Sequence, residues 1–228
     1  MNSVVTEICY KELKVRFGSM KVLLPMLISL GIPVVAFMPQ LLVSMSQTNL
    51  EFEYINMLFF LMLPVMGTTL IGITTFINEI RWKTIKPLLA APVSEEVILL
   101  GKSLACVIAG ITIDGILVLL ILFSGVPFSL SRILLLFVVG PLSVIFTTFL
   151  FILGASKLPS IVEGGGVVLM PMGGLLIIFS IFFLLNGIFQ FDTVMTYLVL
   201  SVGLLVAIFV TFFLAQRLFD RETLVLAV

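Results

Sequence analysis

The chain has no histidine, two cysteines and one tryptophan, and only 11% of its 228 residues are charged. Each scarcity removes a class of function. Without histidine there is no HExxH zinc protease and no Ser–His catalysis, which leaves only a Ser–Lys arrangement for an intramembrane hydrolase. Two thiols are too few for a cysteine metal cluster. Cys9 precedes the first apolar run and Cys106 lies inside a later one, so no structural disulfide is expected and neither reports a redox compartment. Soluble domains carry about 25% charged residues. Here the space is filled by 61% hydrophobic residues, with a mean hydropathy of +1.34. Such a composition predicts an all-α polytopic membrane protein, with no metal or cofactor and no nucleic-acid partner.

A helix crosses the hydrocarbon with about 20 apolar residues. Six segments meet that length, at 22–44, 54–77, 97–123, 132–155, 164–189 and 193–215, giving a transmembrane domain over 22–215 and a tail over 216–228. The first carries Pro25, Pro33 and Pro39 and is expected to kink, while Pro64, Pro141 and Pro171 sit inside later spans. No cleavable leader is expected, because the first apolar run has no A-x-A-like exit. Eleven of the twelve lysines and arginines fall on one side, with Arg132 alone opposite. That bias predicts cytoplasmic termini.

Residues 1–21 read as an amphipathic helix lying on the inner surface. Glu7, Lys11 and Lys14 share one face; Cys9, Leu13 and Phe17 share another, with Tyr10 beside them. Glu7–Lys11 and Glu12–Arg16 are i,i+4 pairs that support such a helix.

Gly101-Lys102-Ser103 imitates a phosphate loop, but Glu96 stands where the pattern requires its first glycine. Lys102 is expected instead to anchor the third span by snorkelling to the headgroups. Glu163-Gly164-Gly165-Gly166 reads as a turn back into the membrane. Asp114 is the one acid deep within a span, where a charge costs about 2.5–3.5 kcal/mol. It reads either as a substrate or ion contact, or as a protonated or hydrogen-bonded packing residue. It continues a stripe from Cys106 and Gly110, beside Gly101, Ala105 and Ala109, which suits close helix packing. Gly203, Ala207, Thr211 and Ala215 form a similar stripe in the last span, expected to pack within the chain.

The largest inner loop, 79–96, crowds Glu79, Arg81, Lys83 and Lys86 between two apolar segments. Pro87 and Pro92 bracket Leu88-Leu89-Ala90-Ala91, enough for one or two helical turns whose leucines enter a partner's groove while the lysines steer the encounter. A transporter this small has no room for a fuel-binding domain. It must draw on an ion gradient or borrow a motor, and a gradient-driven carrier usually shows internal repeats that are not evident here.

The run Glu79-x-Arg81-x-x-Thr84-x-x-x-Leu88-Leu89-x-x-Pro92-Val93-Ser94-x-Glu96, continued to Leu99 and Lys102, resembles the segment between the second and third spans of ABC-2 type transporter permeases. Ser160-Ile161-Val162-Glu163-Gly164 is similar to a Val-Glu-Gly segment of the fluoroquinolone-export subgroup. Lys83 and Lys86-Pro87 depart from the family pattern. The resemblance implies a half-transporter in the membrane of a prokaryotic cell, paired with a second permease copy and served by separate cytoplasmic ABC ATPase subunits that bind ATP and magnesium. It implies that the 79–96 loop, with Glu163 nearby, couples to those subunits, and that this chain performs no chemistry. Two further readings stay open: a gradient-driven carrier centred on Asp114, and a non-transporting membrane scaffold.

Overall fold

A computed structural model of the chain describes residues 2–18, 50–72, 94–123, 129–157 and 169–218. Every regular element among them is helical: α1 (Asn2–Phe17), α2 (Leu50–Gly72), α3 (Glu95–Phe123), an interrupted α4, α5 (Leu169–Phe189) and α6 (Thr193–Leu218). In α4 a short helix Leu130–Leu134 passes through a π-helical turn, Leu135–Val139, into the long segment Gly140–Lys157. Among the described residues four helices are long and apolar enough to cross a membrane: Glu96–Phe123, Leu130–Gly154, Leu169–Phe189 and Thr193–Arg217. The expected first span, 22–44, lies outside the described residues. α2 is apolar over Leu61–Gly72 and carries Pro64 inside it.

The helix boundaries have local reasons. Of the expected fifth span, Leu169–Phe189 is helical with Pro171 buried in it, and 164–168 lie outside the described residues. The last helix runs to Leu218, so Gln216 and Arg217 belong to it rather than to a tail. α5 ends where Gln190 takes a left-handed backbone (φ 50°) and its N–H bonds the Asn186 carbonyl at 2.8 Å. Thr193 opens α6 three residues later. The Thr196 hydroxyl ties the turn at 3.2 Å to Asn186 Oδ1. α4 opens on Ser129, whose hydroxyl accepts from the Arg132 N–H at 3.3 Å.

The π turn follows from Pro141. A proline lacks the N–H that an α-helix would send back one turn, and its ring crowds the carbonyl four residues earlier. The ladder answers by lengthening: the Gly140 N–H reaches Leu135 O, five residues back.

α4 is the hub, packing against α2, α3, α5 and α6, while α1 packs on α3. The shared core includes Leu61, Val65, Leu117, Leu136, Phe146, Leu175, Phe179, Tyr197 and Leu204. Buried hydroxyls occupy this apolar interior at little cost because they bond their own helices. Thr68, Ser143, Thr147 and Thr211 each donate to a carbonyl three or four residues back at 2.7–3.1 Å. Glycine sets the closest approaches. Gly110 of α3 seats Thr68 of α2 and Val144 of α4, and Gly203 of α6 faces the Phe182 ring of α5. Both small-residue stripes therefore serve packing within the chain, as read from their spacing.

Candidate functional site

Of the residues expected to form the coupling loop, Glu79, Arg81, Lys83, Thr84, Lys86, Leu88, Leu89 and Pro92 lie outside the described residues, as does Glu163. What the structure places is the loop's far end. Ser94 is exposed and caps α3 through its carbonyl, which accepts from Val97 N at 3.1 Å and Ile98 N at 3.2 Å. Glu96 is already helical and exposed, and its Oε1 accepts from Gln216 Nε2 of α6 at 3.0 Å. The two residues are 120 positions apart in sequence. Glu96, Phe213, Leu214, Gln216 and Arg217 surround a hollow of about 420 Å³. The start of α3 and the end of α6 thus present one mixed polar and apolar surface.

One and a half turns further along α3, the structure departs from expectation at Lys102. Rather than snorkelling outward, this side chain is 1% exposed, and its Nζ stands 2.8 Å from Glu12 Oε1 of α1. Glu12, expected to form an i,i+4 pair with Arg16, is buried too. The cause is the way α1 lies. Its buried side chains are Cys9 and Glu12, flanked by the half-buried Val5, Ile8 and Leu13; Tyr10 and Phe17 are exposed. Gly101 makes this possible, since a Cβ there would stand 2.8 Å from Ile8 and 3.3 Å from the Val5 carbonyl. The polar face is as read: Glu7, Lys11 and Lys14 are all exposed. Gly101-Lys102-Ser103 is therefore a buried turn of helix, not a loop around a phosphate.

Burial pushes the Cys9 thiol up from its ordinary value, and the nearby Glu12 carboxylate adds to the rise. Beside this contact, Val5 and Thr6 of α1, Ser103 and Leu104 of α3, and Ile145 and Phe149 of α4 line an open apolar groove of about 430 Å³.

Asp114 lies twelve residues beyond Lys102, about 18 Å along the helix at 1.5 Å per residue. It is 3% exposed, and its Oδ1 has no hydrogen-bond partner among the described residues. Its seat is Gly140: a Cβ there would come within 2.8 and 2.9 Å of the two carboxylate oxygens. The acid is pressed flat against the backbone of α4, at the first residue after the π turn. Among the described residues no group of three or more His, Cys, Asp or Glu side chains gathers to hold a metal.

Sequence reasoning singled out Lys102, Glu96 and Asp114 but not their partners Glu12, Gln216 and Gly140. For Gly140 a signal existed: Pro141 in an apolar run marks a place where the ladder must break. Comparison with known proteins gives no match to a family model, to a curated protein or to a solved structure.

Proposed function

We propose that this chain is the permease subunit of an ATP-driven ABC-2 type exporter, in the cell membrane of a prokaryote with both termini cytoplasmic. The observation that carries the reading is the run from Glu79 to Lys102 and its resemblance to the coupling segment of those permeases. The exposure of that run's end supports the reading. Ser94 and Glu96 are exposed, and Glu96 bonds Gln216 of α6, so force on the loop would act on α3 and α6 together. Through Lys102 and Glu12 it would also act on α1. ATP and magnesium belong to the partner ATPase. A second permease copy would complete the path for an amphipathic, drug-like or lipid-like cargo. Coupling needs only that the docked motor contact two permease states unequally.

The test is co-purification of the tagged chain from its native host, assayed for vanadate-sensitive ATP hydrolysis. The expected result is hydrolysis that travels with the wild-type chain and is lost with Leu88→Asp at equal permease yield. Full hydrolysis with Leu88→Asp would remove the docking claim. Two observations would redirect the assignment. Substrate uptake by purified protein alone, driven by an ion gradient and abolished by Asp114→Asn, would favour a secondary carrier. No flux under either condition would favour a scaffold.

A further inference from the structure

Asp114 plays no part in that reading, and it is the most costly side chain in the membrane-spanning region to leave unexplained. We propose that Asp114 is a proton-binding site inside the span, filled in the conformation seen, and that the bound proton is what lets α3 and α4 close at Gly140. The inference rests on the membrane placement of α3 and α4 and stands apart from the export reading.

Three observations carry it. The first is the lack of a counter-charge beside it among the described residues. On α3, Lys102 is about 18 Å away along the helix and already pairs with Glu12 of α1. α1 otherwise brings Glu7, Lys11, Lys14 and Arg16, at that same end of α3. α2 brings only Glu51 and Glu53, both in its first turn. α4 brings Arg132 two turns before Gly140 and Lys157 at its far end. The apolar stretches 22–50, 54–78, 164–189 and 193–215 contain no lysine or arginine at all.

The second observation is the seat. Both carboxylate oxygens lie against a glycine backbone, and Oδ1 has no hydrogen-bond partner among the described residues. A carboxylate anion would leave a charged, buried Oδ1 with no donor among the described residues, whereas a neutral acid is a modest burden.

The third is the π turn. The Gly140 N–H goes to Leu135 O, and Pro141 has no N–H to give. The Leu136 carbonyl, one turn before Gly140, is thereby left without the donor an α-helix would supply. A carbonyl with a spare lone pair repels a carboxylate and accepts from a carboxylic O–H. On this proposal the Leu136 carbonyl, one turn from the seat, would take the O–H of the protonated acid.

The experiment is infrared spectroscopy of the purified full-length protein in lipid vesicles, at neutral pH and during alkaline titration. The chain has three aspartates, Asp114, Asp192 and Asp220, and Asp192 is exposed. The expected result is a protonated-acid carbonyl band that shifts when aspartate is ¹³C-labelled and is missing in Asp114→Asn. On titration that band should give way to a carboxylate band as the thermal midpoint falls, while Asp114→Asn loses this part of the pH dependence. The isotope shift needs no substitution, so it decides the matter even if the variant folds poorly. Absence of an isotope-sensitive acid band at neutral pH would overturn the proposal. So would a thermal midpoint that depends on sodium in the wild type but not in Asp114→Asn, which would assign the seat to a metal cation. An acid band with unchanged pH dependence in Asp114→Asn would remove the claim that the proton closes the seam.

Discussion

Lys102 and Asp114 are sunk to nearly the same depth in one helix, at 1% and 3% exposure, yet they are housed in opposite ways. Lys102 is given a partner of opposite charge, delivered by a helix that precedes it by 90 residues. Asp114 Oδ1 has no hydrogen-bond partner among the described residues, and the acid fills a gap left by Gly140 where the ladder of α4 is broken. The first device keeps a charge and holds a surface helix to the bundle. The second removes the need for a charge. A membrane chain with so few ionisable groups thus shows both ways to make a buried one tolerable: pair it, or neutralise it.

The largest expected effect comes from breaking the pair. Lys102→Met takes from the buried Glu12 the ammonium group it pairs with, and breaking a buried pair costs about 3–5 kcal/mol. The cost falls on the docking of α1, because α1 meets the bundle chiefly through α3. Cys9, buried in that contact, reports it. Alkylation with a membrane-permeant maleimide should become rapid at Cys9 in Lys102→Met while Cys106, buried in α3, stays protected. Adding Glu12→Met should restore much of the protection, since two apolar side chains replace a buried pair at small net cost. Unchanged protection in the single variant would mean that apolar contacts alone hold α1.

The matching break at Asp114 is steric. Gly140→Ala puts a methyl group within 2.8–2.9 Å of the carboxylate oxygens, and either the side chain or the helix must give way. Overpacking of this kind costs about 1–3 kcal/mol. The thermal midpoint in detergent should fall accordingly and recover when Asp114→Ser vacates the seat. Gly115→Ala is the control: nothing lies within 4 Å of that position, and alanine in a helix is favoured over glycine by about 0.5–1 kcal/mol. Equal losses at Gly140 and Gly115 would show that the seat is not tight.

A smaller effect is a shift along the pH axis. Burial first, and the Glu12 carboxylate second, hold the Cys9 thiol above its ordinary value. The reactive thiolate therefore appears at higher pH in the folded protein than in the same protein unfolded in detergent. Rates of Cys9 alkylation against pH should show the folded curve displaced to the alkaline side. Superimposed curves would place Cys9 outside the α1–α3 contact.

What the sequence made legible follows from the range of each signal. Hydrophobic length found α3 to α6 because a span is a local property of about 20 residues, and glycine spacing found the packing faces of α3 and α6. The polar face of α1 was legible, but on its other side Phe17 is exposed and Glu12 is buried. Helical spacing gives candidate stripes, and the choice among them was made by Gly101 and Lys102 on another helix. Lys102 itself was misjudged because a lysine near the end of a span normally reaches for water. Nothing within several turns of it announces a glutamate on α1. The pairing of Glu96 with Gln216 was illegible for the same reason.

That exposed pair gives the smallest structural effect and the sharpest separation of stability from function. Glu96 Oε1 and Gln216 Nε2 meet at 3.0 Å on an exposed surface, where a lost hydrogen bond is replaced by water. Glu96→Ala should therefore change stability by no more than about 0.5 kcal/mol. If the loop before α3 is the coupling element, however, this bond is where its displacement passes to α6. Glu96→Ala and Gln216→Ala should then each leave the folded permease intact but lower the transport driven per ATP hydrolysed by the co-purified ATPase. The double variant should do no worse than either alone, as expected of two groups acting through one contact. Additive losses would mean that Glu96 and Gln216 meet the motor separately, and that α3 and α6 are not moved as a unit.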